Sequence, residues 1–242
     1  MQNTNFNYTQ DQTESVSMSR TFIANVFSWM ALALAITGVV AYFFGNNAEL
    51  TNLLYYTNGV KSSLTGLGWV VMLAPIGFVL LMSWGMNKLS APMMMLLFVV
   101  YSIIMGMSLS FIFLIYTHGS IAATFGITAG MFGLMAFVGY TTKTDLTKFG
   151  SIMMMGLVGI IIASIVNMFM KSGTMDYIIS FIGVLVFTGL TAYDVQKLKR
   201  IGAGVEFGTQ ETTKLTILGA LSLYLDFINL FLFILRFTGG RK

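Results

Sequence analysis

Seven long apolar runs, separated by short polar stretches, dominate the pattern of the chain. The runs are Phe22–Phe44, Leu67–Trp84, Pro92–Tyr116, Ser120–Tyr140, Phe149–Met170, Tyr177–Asp194 and Ile217–Phe237. A helix rises about 1.5 Å per residue, so each run can cross a hydrocarbon layer about 30 Å thick. The runs are continuous rather than alternating, which argues against the strands of a membrane barrel. The pattern predicts an all-α integral membrane protein with seven transmembrane helices.

The composition agrees with a chain that is mostly surrounded by lipid. Of its 242 residues 56% are hydrophobic and only 9% are charged, whereas a soluble domain carries about 25% charged residues. The spans and their short connections form one membrane domain, residues 21–238. Residues 1–20 are polar and are predicted to form a disordered cytoplasmic tail. Residues 239–242 form a short C-terminal tail.

The basic residues predict how the chain is oriented in the membrane. Eight lie on the side that holds the N-terminus: Arg20, Lys88, Lys143, Lys148, Lys197, Lys199, Arg200 and Lys214. Five lie on the other side: Lys61, Lys171, Arg236, Arg241 and Lys242. Lys and Arg are enriched in cytoplasmic loops, so we expect a cytoplasmic N-terminus and an external C-terminus. Residues scattered in this way indicate orientation rather than nucleic-acid binding, and the short polytopic chain suggests a bacterial cytoplasmic (inner) membrane.

The residue types exclude several kinds of chemistry. Cysteine is absent and His118 is the only histidine. Disulfides, thiol catalysis and zinc sites built from Cys or several His are therefore excluded. No cofactor is expected.

Two aspartates lie inside or at the edge of the last two runs. Asp226 is the tenth residue of the seventh run, about 15 Å along a helix and therefore near the middle of the membrane. A charge at that depth costs at least about 3 kcal/mol. Asp194 ends the sixth run, which is antiparallel to the seventh, so both acids lie in the same half of the membrane. If the two helices touch, the carboxylates meet.

A pair of carboxylates in a poorly hydrated place has a characteristic chemistry. Both should not be ionised near neutral pH, because one shared proton is the common outcome. Such a pair is a natural proton sensor. When both protons are lost, it offers the oxygen ligands that Ca²⁺ prefers. The alternative reading is that each acid only forms hydrogen bonds within the helix bundle.

The seventh run has a polar stripe. Gly219, Ser222, Asp226, Asn229 and Arg236 are separated by 3, 4, 3 and 7 positions, which places them on one helix face. A helix with such a face is expected in the interior of the bundle, so the last helix is predicted to be central.

The fourth run contains the pattern Gly126-x-x-x-Gly130. Two small residues four positions apart allow membrane helices to approach closely. We therefore expect close helix packing at this pair rather than a ligand site.

Four stretches resemble the Bax inhibitor-1 family, the transmembrane Bax inhibitor motif proteins. They are Gly106-Met-Ser-Leu-Ser-Phe-Ile-Phe-Leu-Ile-Tyr116, Gly139-Tyr-Thr-Thr-Lys-Thr-Asp-Leu146, Gly189-Leu-Thr-Ala-Tyr-Asp-Val-Gln196 and Gly219-Ala-Leu-Ser-Leu-Tyr-Leu-Asp-Phe-Ile-Asn-Leu-Phe231. The last is the most specific, because an Asp-Phe-Ile-Asn sequence follows Leu-Tyr-Leu inside a hydrophobic helix. The likeness covers roughly residues 20–238.

The resemblance implies a seven-helix bundle with a central last helix and a pH-sensitive Ca²⁺ leak. A pair of aspartates on the last two helices would control the leak, and these correspond to Asp194 and Asp226. The polar residues expected to support the pair are Thr191, Ser222 and Asn229. The family pattern also includes a basic residue near the second helix that holds one aspartate. The second run here contains no Lys or Arg, so Lys88 just beyond it is the only candidate.

Two other functions stay open beside the leak channel. As a leak channel, the protein is not expected to be an enzyme. Some bacterial relatives associate with a membrane-bound ATP-dependent protease, so the chain could be a non-conducting regulator. An intramembrane aspartyl protease is a remote alternative. Tyr193-Asp194 fits those enzymes, but Leu223-Tyr-Leu precedes Asp226 where they have Gly-x-Gly, and no proline follows Pro92. The expected partners are the lipid bilayer and calcium ions.

Overall fold

A computed structural model describes residues 4–58, 61–206 and 208–240. The helices in these ranges are α1 Thr4–Asn46, α2 Ala48–Leu54, α3 Gly66–Gly85, α4 Ala91–Leu109, α5 Ile112–Ile115, α6 His118–Thr141, α7 Thr147–Met170, α8 Gly173–Gly202 and α9 Gln210–Thr238. Strands β1 (Tyr55–Asn58) and β2 (Lys61–Leu64) form an antiparallel hairpin. Seven helical segments in the described part of the chain are long and apolar enough to cross a membrane. The prediction of an all-α protein with seven membrane helices is confirmed.

Helix α1 extends into the segment that precedes the predicted membrane domain, whereas α9 ends at Thr238, where that domain is predicted to end. Helix α1 begins at Thr4, so helical backbone covers most of the segment predicted to be a disordered tail. A helix that has already nucleated lengthens at little further cost, which explains the extension. Residues 1–3 and 241–242 lie outside the described residues. Helix α2 and strands β1 and β2 lie in the connection between the first two spans.

The third span is not one continuous helix. Helix α4 ends at Leu109 and α5 begins at Ile112, although the apolar run continues without a break. The Ser110 hydroxyl donates a hydrogen bond to the Met107 carbonyl at 2.7 Å. A serine that bonds to the backbone in this way competes with the helical ladder, which hydropathy cannot register.

The last helix is the most buried of the seven spans. In an apolar stretch of 18 residues of this helix, 67% of the residues are buried, against 11% in the corresponding stretch of α7. Helix α9 packs against α1, α4, α6 and α8, whereas α7 packs mainly against α8. Helix α9 thus contacts four other spans, whereas α7 lies at the edge of the bundle; the central position of α9 stays a prediction.

Successive spans run in opposite directions, so the bundle has two ends. We call the end near Ser19 the N-terminal end, where the Ser19 hydroxyl donates to the Lys199 carbonyl at 2.9 Å. At the same end, Lys214 of α9 donates to the Met86 carbonyl at 3.1 Å. The opposite, C-terminal end is where the Thr117 N–H donates to the Gly240 carbonyl at 3.2 Å.

The close contact of α6 lies elsewhere than the glycine pattern predicted. Gly126 and Gly130 are exposed, and a Cβ at either position would meet nothing within 4 Å. The prediction of close packing there is wrong, because this face of α6 is turned away from the other helices. Gly139 is the close contact instead: its Cβ would lie 2.9 Å from the Cα of Ala192 on α8 and closer still to the Ala192 carbonyl.

Candidate proton-sensing site

Asp194 and Asp226 are brought together through Ser222. The Ser222 hydroxyl on α9 donates a hydrogen bond of 2.6 Å to Asp194 Oδ2 on α8. Asp226 lies four residues after Ser222, which is one turn further on the same face of α9. Ser222 thus joins Asp194 to the face of α9 that carries Asp226. The structure therefore places both acids at one contact between α8 and α9.

The two acids differ in their surroundings. Asp226 is only 6% exposed, and its Oδ2 atom has no hydrogen-bond partner among the described residues. Asp194 is half-buried and accepts the hydrogen bond from Ser222. One oxygen of the deep acid thus has no partner in the described residues, whereas the shallower acid is bonded to a hydroxyl.

Two glycines position the segment that carries Asp194. The ring of Tyr193 lies directly against Gly150 of α7, where a Cβ would overlap it. On the other side, Gly139 of α6 contacts the Ala192 backbone. Helices α6 and α7 therefore hold the backbone immediately before Asp194 from two sides, which fixes the direction of its carboxylate toward α9.

A polar cluster joins the connection between α6 and α7 to α8 at the N-terminal end. Gln196 donates to the Thr144 carbonyl at 2.8 Å and accepts from the Leu146 N–H at 2.8 Å. Arg200 donates to Asp145 at 2.6 Å and to Gln196 at 2.8 Å. These bonds tie the connection between α6 and α7 to α8, two residues beyond Asp194. Helix α8 continues to Gly202, so Lys197, Lys199 and Arg200 lie on a helical extension of the sixth apolar run.

The Asp145 carboxyl in this cluster is ionised throughout the usual pH range. Hydrogen bonds from Thr147 and from Arg200 hold the pKa of its exposed carboxyl well below its ordinary value. The Arg200–Asp145 pair, at 2.6 Å, is the one ion pair among the residues that the structure describes. The cluster therefore carries fixed charges, whereas neither acid of the pair has an ion-pair partner among the described residues.

Of the residues predicted to support the pair, only Ser222 forms a hydrogen bond with one of the two acids among the described residues. Ser222 binds Asp194 directly. The Thr191 hydroxyl donates to the Phe187 carbonyl at 2.8 Å, and Asn229 donates to the Leu225 carbonyl at 2.8 Å, so both bond to their own helices. Lys88 is exposed and takes part in no ion pair within the described ranges. The structure does not bring it to Asp194.

A second buried polar cluster lies between α1, α4 and α9, and the sequence analysis missed it. The Thr37 hydroxyl donates to the Ser102 carbonyl at 2.9 Å and lies 2.7 Å from the Tyr224 hydroxyl. The Tyr101 ring packs edge-on against Tyr224 at 5.5 Å. Its hydroxyl has no hydrogen-bond partner in the described part of the chain. Single hydroxyls in apolar runs were the only signal, and they do not show which helices they join.

The acidic pair alone does not make a resident metal site. Within residues 4–58, 61–206 and 208–240, no group of three or more His, Asp or Glu side chains is placed to hold a metal ion. A bound Ca²⁺ takes six to eight oxygen ligands, more than two carboxylates and one hydroxyl provide.

A bundle of seven apolar helices with an acidic pair between its last two defines a polytopic membrane protein with an intramembrane carboxylate site. The chain belongs to the Bax inhibitor-1 family: the family model described as "Inhibitor of apoptosis-promoting Bax1" matches residues 19–242. The resemblance seen in the four sequence stretches is confirmed.

Relatives from distant bacteria cover nearly the whole chain. It is 47% identical to the inner membrane protein YbhL of Escherichia coli over 224 residues, 92% of this chain and 93% of YbhL. It is 44% identical to a protein of Borreliella burgdorferi over 97% of both chains. A membrane protein of Streptococcus pyogenes, M6_Spy0327, is 32% identical over 90% of this chain and 92% of its own length.

Proposed function

We propose that this protein is a pH-sensitive cation leak, with Ca²⁺ as the permeant ion, gated by the Asp194–Asp226 pair. The observation that carries the proposal is the Ser222–Asp194 hydrogen bond between α8 and α9. It lies one helical turn from Asp226, a buried carboxylate with an oxygen that no described residue satisfies. A bond that joins two helices beside an unsatisfied acid is sensitive to the protonation of that acid.

The proposed mechanism begins with one protonated acid. While one of the two carboxyls carries a proton, the pair has a single charge and α8 stays against α9. Loss of that proton leaves two like charges in a poorly hydrated place, where their repulsion is much stronger than in water. Helices α8 and α9 then separate at the N-terminal end of the bundle. Water enters there, and the exposed carboxylate oxygens attract Ca²⁺.

The proposed location follows from the relative and from the basic residues. YbhL is named as an inner membrane protein, and we place this chain in the same membrane. The excess of Lys and Arg at the N-terminal end assigns that end to the cytoplasm. The acidic pair then responds to cytoplasmic pH.

The test is Ca²⁺ flux into liposomes that contain the purified protein and a trapped calcium dye, over a range of pH. Wild type is compared with Asp194→Asn and Asp226→Asn, each of which removes one titrating group with little change of shape. Asp145→Asn is the matched control, because it removes an exposed carboxylate outside the pair. We expect a flux that depends on pH in wild type and in the control, and a flux with little pH dependence in either pair variant.

Two results would overturn the proposal. The first is no flux from wild type at any pH, which would instead favour a regulator that binds a membrane-bound ATP-dependent protease. The second is a pH profile that both pair variants leave unchanged. Co-purification of a protease, together with no Ca²⁺ flux into the liposomes, would identify the protein as a regulator rather than a channel.

A further inference from the structure

A polar cavity of about 610 Å³ lies at the C-terminal end of the bundle, far along α8 and α9 from the acidic pair. It is bounded by α5, the last turns of α7 and α9, and the start of α8. Its polar lining includes Lys171, Arg236, Asp176 and Asn167. The proposed gate uses none of these groups.

The charges that line this cavity favour an anion. The one carboxylate, Asp176, accepts a hydrogen bond of 2.7 Å from the Asn167 amide and lies in the first turn of α8, where a negative charge is already favoured by the helix dipole. Lys171 and Arg236 have no ion-pair partner in the described residues. Two cations from different helices therefore face one space that has a single, already bonded carboxylate.

The backbone at Lys171 supports a specific role for its charge. Lys171 follows α7 in the left-handed conformation, with φ of 53°. It is the one residue other than glycine with positive φ in the described part of the chain. Glycine or asparagine usually occupies this position at a helix end. The chain thus places a cation at the cavity where the backbone alone would favour glycine.

The remaining walls are apolar and open toward lipid. Met168 and Ile115 line the cavity and are exposed. The Arg236 guanidinium lies 5.8 Å from the centre of the Phe233 ring, another lining residue. Because α7 packs mainly against α8, the gap between α7 and α9 is not filled by protein. A ligand with a negative head and an apolar tail fits this combination.

We propose that this cavity binds the phosphate headgroup of an anionic phospholipid in the leaflet at the C-terminal end. Lys171 and Arg236 would bind the phosphate oxygens, and an acyl chain would lie along Met168 and Ile115. Basic pockets between membrane helices bind anionic headgroups by the same chemistry. This inference is independent of the proposed leak, because it concerns the opposite end of the bundle.

The test uses the full chain, purified in a neutral detergent and titrated with dioleoyl phosphatidylglycerol or dioleoyl phosphatidylcholine. Native mass spectrometry counts the retained lipids. The variants are Lys171→Gln, Arg236→Gln and the double substitution. Lys148→Gln is the matched control, an exposed lysine near the other end of the same helix, α7. Inorganic phosphate, titrated in a separate arm, distinguishes a lipid site from a site for free phosphate.

We expect the wild type and the control to retain phosphatidylglycerol in preference to phosphatidylcholine. Each cavity variant should bind phosphatidylglycerol about fivefold more weakly, and the double variant should lose the preference. Asp176→Asn keeps an acceptor for Asn167 and removes the negative charge, so it should strengthen binding. Equal loss in Lys148→Gln, an unchanged preference in the double variant, or inorganic phosphate displacing the lipid at equal concentration would each overturn the proposal.

Discussion

The contact between Gly139 and Ala192 offers a sharp test of how the bundle holds Asp194. In Gly139→Ala, the new Cβ would lie 2.8 Å from the carbonyl carbon and 2.9 Å from the Cα of Ala192. Ordinary contact begins near 3.4 Å and the Ala192 carbonyl oxygen lies closer than either carbon, so α6 and α8 must move apart by more than about 0.6 Å. The obstacle is backbone rather than a flexible side chain, and no rotamer change relieves it.

The expected cost is that of overpacking a closely fitted contact, about 1–3 kcal/mol in the free energy of unfolding. The displacement also acts two residues before Asp194. It should therefore weaken the 2.6 Å bond between Ser222 and Asp194 and alter the pH at which Ca²⁺ flux begins. Unfolding in mixed micelles, followed by the change in helicity with added sodium dodecyl sulfate, measures the first effect. Liposome flux measures the second.

Gly130→Ala on the same helix is the matched control. A Cβ at Gly130 meets nothing within 4 Å, and alanine favours the helix slightly more than glycine does. The control should unfold at the same fraction of sodium dodecyl sulfate as the wild type, or at a slightly higher one. Equal stability of the two variants would refute the reasoning that Gly139 is the close contact of α6.

The remaining predictions concern the charged groups. Asp226→Leu should raise the free energy of unfolding by about 1–3 kcal/mol and abolish the pH-dependent flux, because it removes a buried oxygen without a partner among the described residues. A lower unfolding midpoint would contradict this. Thr147 and Arg200 lower the pKa of Asp145 from its ordinary 3.8. A carboxyl with a lowered pKa stabilises the fold above its ordinary value, and that contribution is lost as the pH falls toward the lowered one. Arg200→Gln should therefore reduce the unfolding midpoint modestly at pH 7, and the difference should shrink below about pH 4 and in about 0.5 M salt. A difference that is independent of both pH and salt would point to packing instead.

The sequence by itself determined the number of spans and the positions of the two acids along them. Length and continuous hydropathy are local properties, because each helix must satisfy its own backbone in lipid. They place Asp226 deep in the seventh span whatever its neighbours are. The polar stripe around Ser222 likewise follows from the period of one helix and indicates the face that turns inward.

Only the tertiary structure decided which groups meet. The contact of Ser222 with Asp194 depends on the register of α8 against α9, and no pattern within one helix fixes that register. The same holds for the glycines: Gly126 and Gly130 have the spacing of a packing motif but are exposed, whereas Gly139 contacts Ala192. Lys88 follows the second span as expected but lies exposed, away from any ion pair in the described residues. In lipid every span is apolar, so hydropathy does not distinguish its helix-facing side from its lipid-facing side, and the fit between helices decides it.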